Sequence, residues 1–354
     1  MEFGLSEEQT LLQDTIRRFL ADNAPLDRVR AFADEADDAD IWQGLSELGV
    51  AGLIVSEDHG GVGLSPLDAV VVAEALGYAA TPAPYLSTAI IVPTALQAAG
   101  SQTDILGDIA SGALRCGSAL AETNGAREGA GVQAGKGTLT GKAMFALDCP
   151  ADRYLVADTN GHLHLVADDA AGLSTKKLGN IDATRPLAEI TFDQTPAALV
   201  SDDAGVLRQV LTVARTVLAA DTLGAAQYML DAAVAYAKER EQFNRAIASF
   251  QAVKHMCAEM AAGLEPCRSM VWYAAHSIEA EPQEAELMAL HTKAHISEVG
   301  RFVAKTATEV HGGMGFTDLV GLHYWFKRVG FNRQVLGSPE FLREAAARLQ
   351  GLAA

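Results

Sequence analysis

What most limits the folds open to this chain is the order in which its periodicities change. Residues 1 to about 110 read as helices, 111 to about 198 as short alternating runs, and 199 to the end as long helices again. A helical, β, helical succession is uncommon and leaves few layer architectures to choose from. The expectation is a mainly α protein with a small central β domain, divided at 1–110, 111–198 and 199–354. A length of 354 residues suits two or three such parts, and 49% hydrophobic residues allow a sizeable core.

Local signals fill in this outline. Ser6 is a candidate N-cap before Leu11, Leu12, Ile16, Phe19 and Leu20, which fall close to helical period. Residues 56–63 (SEDHGGVG) form a turn cluster, and Pro66 opens a helix running to Gly77. Arg153–Ala157, His162–Val166 and Leu187–Phe192 read as strands. Helices are predicted near 205–240, 250–280, 284–310, 320–334 and 339–350, with breaks at Asn244 and at Gly312–Gly315. No repeat of 20–50 residues is present.

The formal charge is −18, which argues against nucleic acid and anionic membranes as partners, since both need a basic face. Any anionic ligand must then meet a local basic cluster; Lys327, Arg328 and Arg333 are candidates, with a solvated face as the plain alternative. The cysteines at 116, 149, 257 and 267 have neither Cys-x-x-Cys nor zinc-finger spacing, so reduced thiols are expected. The N-terminus lacks a basic start and a continuous apolar stretch, and no apolar run reaches membrane-spanning length. A soluble cytoplasmic protein is the expectation. His291 and His295 lie four apart without an acidic partner, so no metal is expected there. Neither a Walker Gly-Lys-Ser/Thr nor a Gly-x-Ser-x-Gly elbow occurs.

Three segments carry a resemblance. YAKEREQFNRAIASFQAVKH at Tyr236–His255 and EVHGGMGFT at Glu309–Thr317 closely resemble the acyl-CoA dehydrogenase family, and LSELGVAGLIVSEDHGGVGLSPLDAVVVAEALG at 45–77 does so more weakly. The resemblance implies a helical domain, a β domain and a C-terminal four-helix bundle. It also implies FAD bound across a dimer interface, a dimer-of-dimers tetramer, and electron-transfer flavoprotein or a similar acceptor. The family reaction removes a proton from the α carbon and a hydride from the β carbon of an acyl-CoA, giving the trans-2-enoyl thioester. Arg240 and Phe243, three apart, would share a helix face, where a guanidinium can fork onto a pyrophosphate and a ring can pack on a flat heterocycle. Gln251, after the break, could reach the same ligand. Gly312 and Gly313 would cap a helix and leave backbone N–H groups open to a phosphate or adenine; a simple C-cap is the plain alternative. His311 reads as packed rather than as a base. By the same resemblance Phe145 could stack on the flavin, and Ser338 belongs to the cofactor set.

The pattern breaks where the chemistry is done. The family's glutamate base precedes a Gly-Ser/Thr pair, and here Leu336 stands before Gly337-Ser338. The family's alternative base position aligns with Ala214. Neither side chain can take a proton. Asp221, seven residues on and about 10 Å along the helix, and Glu340 are inferior substitutes. The flavin-ring side is altered too: Ala121-Glu122-Thr123-Asn124-Gly125 replaces a Thr-Glu-Pro-Gly-like loop, and Leu147 cannot donate a hydrogen bond to a ring. These losses suggest the non-catalytic subunit of a heteromeric acyl-CoA dehydrogenase, paired with a related subunit as in steroid-degrading bacterial members, and acting on a bulky acyl-CoA such as a sterol side-chain thioester. The rivals are a self-sufficient homotetramer using Asp221 or Glu340, a flavin-free structural partner, and an acyl-CoA-binding protein without redox chemistry.

Overall fold

The computed structural model describes residues 4–124 and 128–353. Six helices come first: α1 (Glu7–Asn23), α2 (Leu26–Glu35), α3 (Ala39–Glu47), α4 (Pro66–Tyr78), α5 (Val92–Ala99) and α6 (Leu106–Ala110). Eight strands follow: β1 (Cys116–Ala119), β2 (Gly131–Ala134), β3 (Thr138–Leu147), β4 (Arg153–Ala157), β5 (Leu163–Ala167), β6 (Leu173–Leu178), β7 (Leu187–Pro196) and β8 (Ala198–Ser201). The long helix α7 (Ala204–Glu239) leads to a two-residue ribbon, β9 (Glu241–Gln242) and β10 (Arg245–Ala246). Then come α8 (Gln251–Ala280), α9 (Pro282–His311), α10 (His323–Gln334) and α11 (Pro339–Leu349). The mainly α architecture with a central sheet is the expected one, and the five C-terminal helices begin and end within a few residues of their predicted limits.

The local signals act as their chemistry requires. Ser6 Oγ accepts from Gln9 N–H at 3.2 Å while Gln9 Oε1 accepts from Ser6 N–H at 3.0 Å, a reciprocal capping box that starts α1. Pro66 occupies the first position of α4, where its missing N–H costs nothing. A π-helical stretch over Tyr85–Ile91, entirely buried, precedes α5 and was not legible in the sequence.

The packing divides the chain into two compact units, neither contiguous in sequence: Met1–Ala33, Val70–Thr81 and Thr216–Ala354, and Asp34–Ala69 with Pro82–Arg215. The second unit contains the sheet, in the order β6-β7-β3-β1-β4-β5-β8, with β2 also on β3. Its pairs are antiparallel apart from β1 with β4. One face buries Val132, Leu139, Tyr154, Ile190 and Phe192 together. In the first unit, α4 and α7 cross at two glycines. A Cβ on Gly224 would lie 1.9 Å from the Glu74 carbonyl oxygen, and one on Gly77 would lie 2.0 Å from that of Asp221. Only a bare backbone permits this approach.

Candidate functional site

In the first unit, α7 ends at Glu239, and Arg240 follows it, exposed, its N–H donating to the Tyr236 carbonyl at 2.8 Å. Phe243 and Asn244 are both left-handed, at φ +54° and +58°, and join β9 to β10. Two consecutive left-handed residues make a two-residue hairpin turn, for which asparagine is suited and phenylalanine is not. Arg240 and Phe243 therefore do not share a helix face. The reason is the turn: its backbone cannot continue α7, and it drives the Phe243 ring outward to 86% exposure. Phe250 meets that ring edge-on at 6.0 Å, and the Arg245 guanidinium sits 4.0 Å over the Phe250 ring. Gln251, exposed, is the first residue of α8. Helix starts leave backbone N–H groups unpaired, so guanidinium, aromatic ring and donor-rich terminus lie along one short segment.

In the same unit, Gly312 (φ +59°) terminates α9, and both Gly312 and Gly313 are exposed with open space around them. Phe316, four residues on, is 80% exposed. His311 is packed, as expected. Its Nδ1 lies 2.8 Å from the Ala307 carbonyl, its ring stacks on Tyr236 at 4.6 Å, and burial holds its pKa below the usual value.

The loop at 336–338, where a base was expected from the resemblance, holds no acid. Leu336 is left-handed (φ +55°) and 4% exposed. Lys293, buried on α9, donates its Nζ to the Gly337 carbonyl at 2.8 Å, and Ser338 caps α11 by accepting from Phe341 N–H at 3.4 Å. Lys293 escaped the sequence reading, although a lysine on the apolar face of Ala289, Leu290 and Ile296 was a signal. The substitute acids are engaged elsewhere. Asp221, 4% exposed, accepts from Arg328 Nε at 2.9 Å, Arg328 Nη2 at 2.6 Å and Asn332 Nδ2 at 2.6 Å. Glu340 is exposed, 2.9 Å from Arg333, and the backbone N–H at the α11 start, Ser338 and Arg333 together keep its carboxyl below the usual range. Two members of the candidate basic cluster are likewise engaged, Arg328 by Asp221 and Arg333 by Glu298 and Glu340, while Lys327 is half-buried. Ala214 lies within the second unit and is fully buried.

In the second unit, Ala143 faces Ile190 and Ala146 faces Ala188, so β3 carries one residue more than β7 between them. This bulge turns Phe145 left-handed (φ +55°) and leaves it 37% exposed. Glu122 anchors the bulge by accepting from Met144 N–H at 3.0 Å. Leu147 is buried at the strand end, and Gly125 lies outside the described residues. Among the described residues no group of three metal-ligating side chains occurs, and no helix is long and apolar enough to cross a membrane. Among the described residues nine non-glycine positions have positive φ, and the bulky apolar ones are Phe145, Phe243 and Leu336. All three stand at positions the sequence motifs had singled out.

Comparison with known proteins agrees with this. The family described as acyl-CoA dehydrogenase, N-terminal domain, matches residues 6–112, and that described as acyl-CoA dehydrogenase, C-terminal domain, matches 204–350. The chain is 30% identical over 351 residues to acyl-CoA dehydrogenase IpdE2 of Mycobacterium tuberculosis, covering 97% of this chain and 96% of the relative. It is 32% identical to IpdE2 of Mycolicibacterium smegmatis, covering 98% and 99%. A solved structure described as the Tcur3481-Tcur3483 steroid ACAD G363A variant superposes with a TM-score of 0.89 at 30% identity, covering 98% of each chain. The chain belongs to the acyl-CoA dehydrogenase family.

Proposed function

We propose that this chain is the base-lacking subunit of a heteromeric acyl-CoA dehydrogenase, paired with a related subunit that supplies the glutamate. In this reading it has the three domains 1–110, 111–198 and 199–354, and the pair binds FAD and oxidises a bulky acyl-CoA, such as a sterol side-chain thioester, to the trans-2-enoyl-CoA. One observation carries the reading. Where the family's base is expected the loop is left-handed and its side chain is leucine, and a carboxylate is what proton abstraction α to a thioester requires. The engagement of Asp221 and Glu340 in ion pairs weighs against a self-sufficient homotetramer.

The exposed groups fit the family's cofactor. Arg240 and the α8 start at Gln251 would meet its phosphates, Phe243 would pack on a flat ring, and Gly312 and Gly313 would admit close approach of a second face. Phe145 and Ser338 complete the set of residues proposed to meet the cofactor. FAD, when bound, supplies the hydride acceptor, and electrons pass to electron-transfer flavoprotein or a similar carrier. The steroid ACAD resemblance, whose description names two chains, supports both the pairing and the bulky substrate.

The test is co-expression with a related acyl-CoA dehydrogenase chain, followed by flavin counting per polypeptide and turnover of a sterol side-chain thioester. One flavin per pair of unlike chains, with turnover only in the pair, is expected. Turnover by this chain alone, one flavin on each copy, overturns the proposal, and a colourless pair would leave it a structural partner.

A further inference from the structure

The glycine bend at Gly312–Phe316 is seated on α9 at one point. A Cβ on Gly315 would lie 2.9 Å from the Thr308 carbonyl oxygen, so that glycine rests directly on the helix. Thr317 closes the bend by donating its N–H and its Oγ1 to the Met314 carbonyl at 3.0 and 2.8 Å. The chain then passes through a turn at 318–321 before α10 begins at His323. Phe316 and Leu319 are 80% and 77% exposed, so their side chains bring the segment little burial. Apolar packing cannot be what fixes a stretch whose large side chains stand in water.

Arg30, on α2 in the same unit, supplies what packing does not. Its Nη2 donates to the Asp318 carbonyl, and to the Leu319 carbonyl at 3.2 Å. Its Nε lies 3.3 Å from Asp318 Oδ2, and its Nη1 donates to Asp27 Oδ1, on α2 itself, at 2.7 Å. A guanidinium suits this place because its donors lie in one rigid plane, able to meet carbonyls and a carboxylate together. One turn earlier on the same helix face, Leu26 packs on Gly321, which is left-handed at φ +68°. A Cβ there would lie 2.7 Å from both Leu26 methyl groups. His323 Nε2, at the start of α10, is 3.7 Å from the other carboxylate oxygen, Asp318 Oδ1. One face of α2 therefore grips the backbone of the turn at 318–321, with 288 residues separating Arg30 from Asp318.

We infer that Arg30 is a positioning residue for the glycine bend. By holding the carbonyls of Asp318 and Leu319 it fixes the far end of the segment, as the seat of Gly315 on α9 fixes the near end. Gly312, Gly313 and Phe316 are thereby presented at a set place although the space around them is open. A segment already held in one arrangement loses less freedom when it binds. In the proposed function this bend meets the cofactor, so Arg30 slows the cofactor's release. That consequence rests on the proposed function; the clamp itself does not.

Hydrogen exchange followed by mass spectrometry on the purified full-length chain reads the clamp directly. Exchange over 312–321 should quicken about tenfold in Arg30→Gln, since charge-assisted bonds to two backbone carbonyls are lost. Asp27→Asn removes the guanidinium's partner on α2 and leaves both carbonyl contacts, so exchange there should stay at the parent's rate. Gly224→Ala crowds the α4–α7 crossing and weakens the same unit elsewhere; it too should leave the bend unchanged, because the bend opens locally. Unaltered exchange in Arg30→Gln overturns the inference, and so does an equal increase in either of the other variants. In the co-expressed pair, Arg30→Gln should release flavin about tenfold faster than the parent. Release at the parent's rate from a loosened bend overturns the effect on the cofactor. A pair that holds no flavin in either form counts against the proposed function, and exchange alone then decides the clamp.

Discussion

Asp221→Asn tests whether the buried carboxylate considered as a substitute base is structural. The substitution keeps shape and removes one charge. Arg328, 2% exposed, then loses the carboxylate it pairs with, and the new amide, with one acceptor oxygen in place of two, can no longer accept from all three donors that converge on Asp221. Breaking a buried pair from one side costs about 3–5 kcal/mol, because a buried charge is left uncompensated. Some of that is recovered here, since Arg328 Nη1 also donates to the Thr81 carbonyl at 3.0 Å. We therefore expect about 3 kcal/mol, or a melting point lower by roughly 4 °C. Equilibrium urea denaturation at fixed protein concentration measures it. The double variant Asp221→Leu with Arg328→Met removes both charges and should regain more than half the loss, because an apolar pair of similar volume often replaces a buried ion pair without penalty. A loss below about 1 kcal/mol for Asp221→Asn refutes the structural assignment. So would a double variant worse than the single one.

Three further outcomes follow from particular contacts. Gly224→Ala places a methyl against the Glu74 carbonyl and should cost about 3 kcal/mol, read by the same denaturation; a loss within about 0.5 kcal/mol would mean that the helices do not cross there. Phe243→Asn relieves a strained left-handed residue and should stabilise the isolated chain by about 1 kcal/mol while lowering flavin retention in the assembled protein; loss of stability would show that the ring holds its own subunit together. Asp158 is set by opposing effects. Burial disfavours its charge, but the N–H of His162, the His164 ring and the N–H of Asn160 outweigh it and hold the carboxyl below 3.8. A depressed folded-state value means stability present above the ordinary carboxylate range and lost as pH falls through the lowered value. Stability measured from about pH 6 to about pH 3 should fall less steeply in Asp158→Asn than in the parent.

Much of the fold was legible because it is written locally. The C-terminal helices have apolar period and explicit breakers, and Arg153–Ala157, a short apolar run buried after its first residue, was read to the residue. β5 came out one residue later than expected and β7 four residues longer, since strand ends depend on what the neighbouring strand offers. The strands β1, β2, β6 and β8, of four to six residues, carry too little pattern to find alone. The turn at Phe243–Asn244 defeated periodicity for a different reason. Phenylalanine gives no signal for a left-handed backbone, so a three-residue spacing read as one helix face when the chain had already left the helix. Likewise nothing near Asp221 in sequence announces Arg328, 107 residues away, and only long-range packing turns a candidate base into an ion-pair partner.

The strained positions differ in what holds them. Phe243 has its ring in solvent, and little in its own subunit rewards the left-handed backbone, so a function outside the isolated chain is needed to account for it. Leu336 is the opposite case. Its side chain is buried, a lysine from α9 grips the following carbonyl, and the next residue but one caps α11. The surroundings over-determine that loop, so its shape survives whatever side chain it presents. A chain can then exchange an acid for an alkyl group at this point without unfolding, and the alkyl group is even favoured by burial. The outward-facing turn has only the short β9–β10 ribbon and an edge-on contact with Phe250 to hold it. A weakly held outward turn together with a loop that tolerates leucine is the combination that the proposed base-lacking subunit calls for.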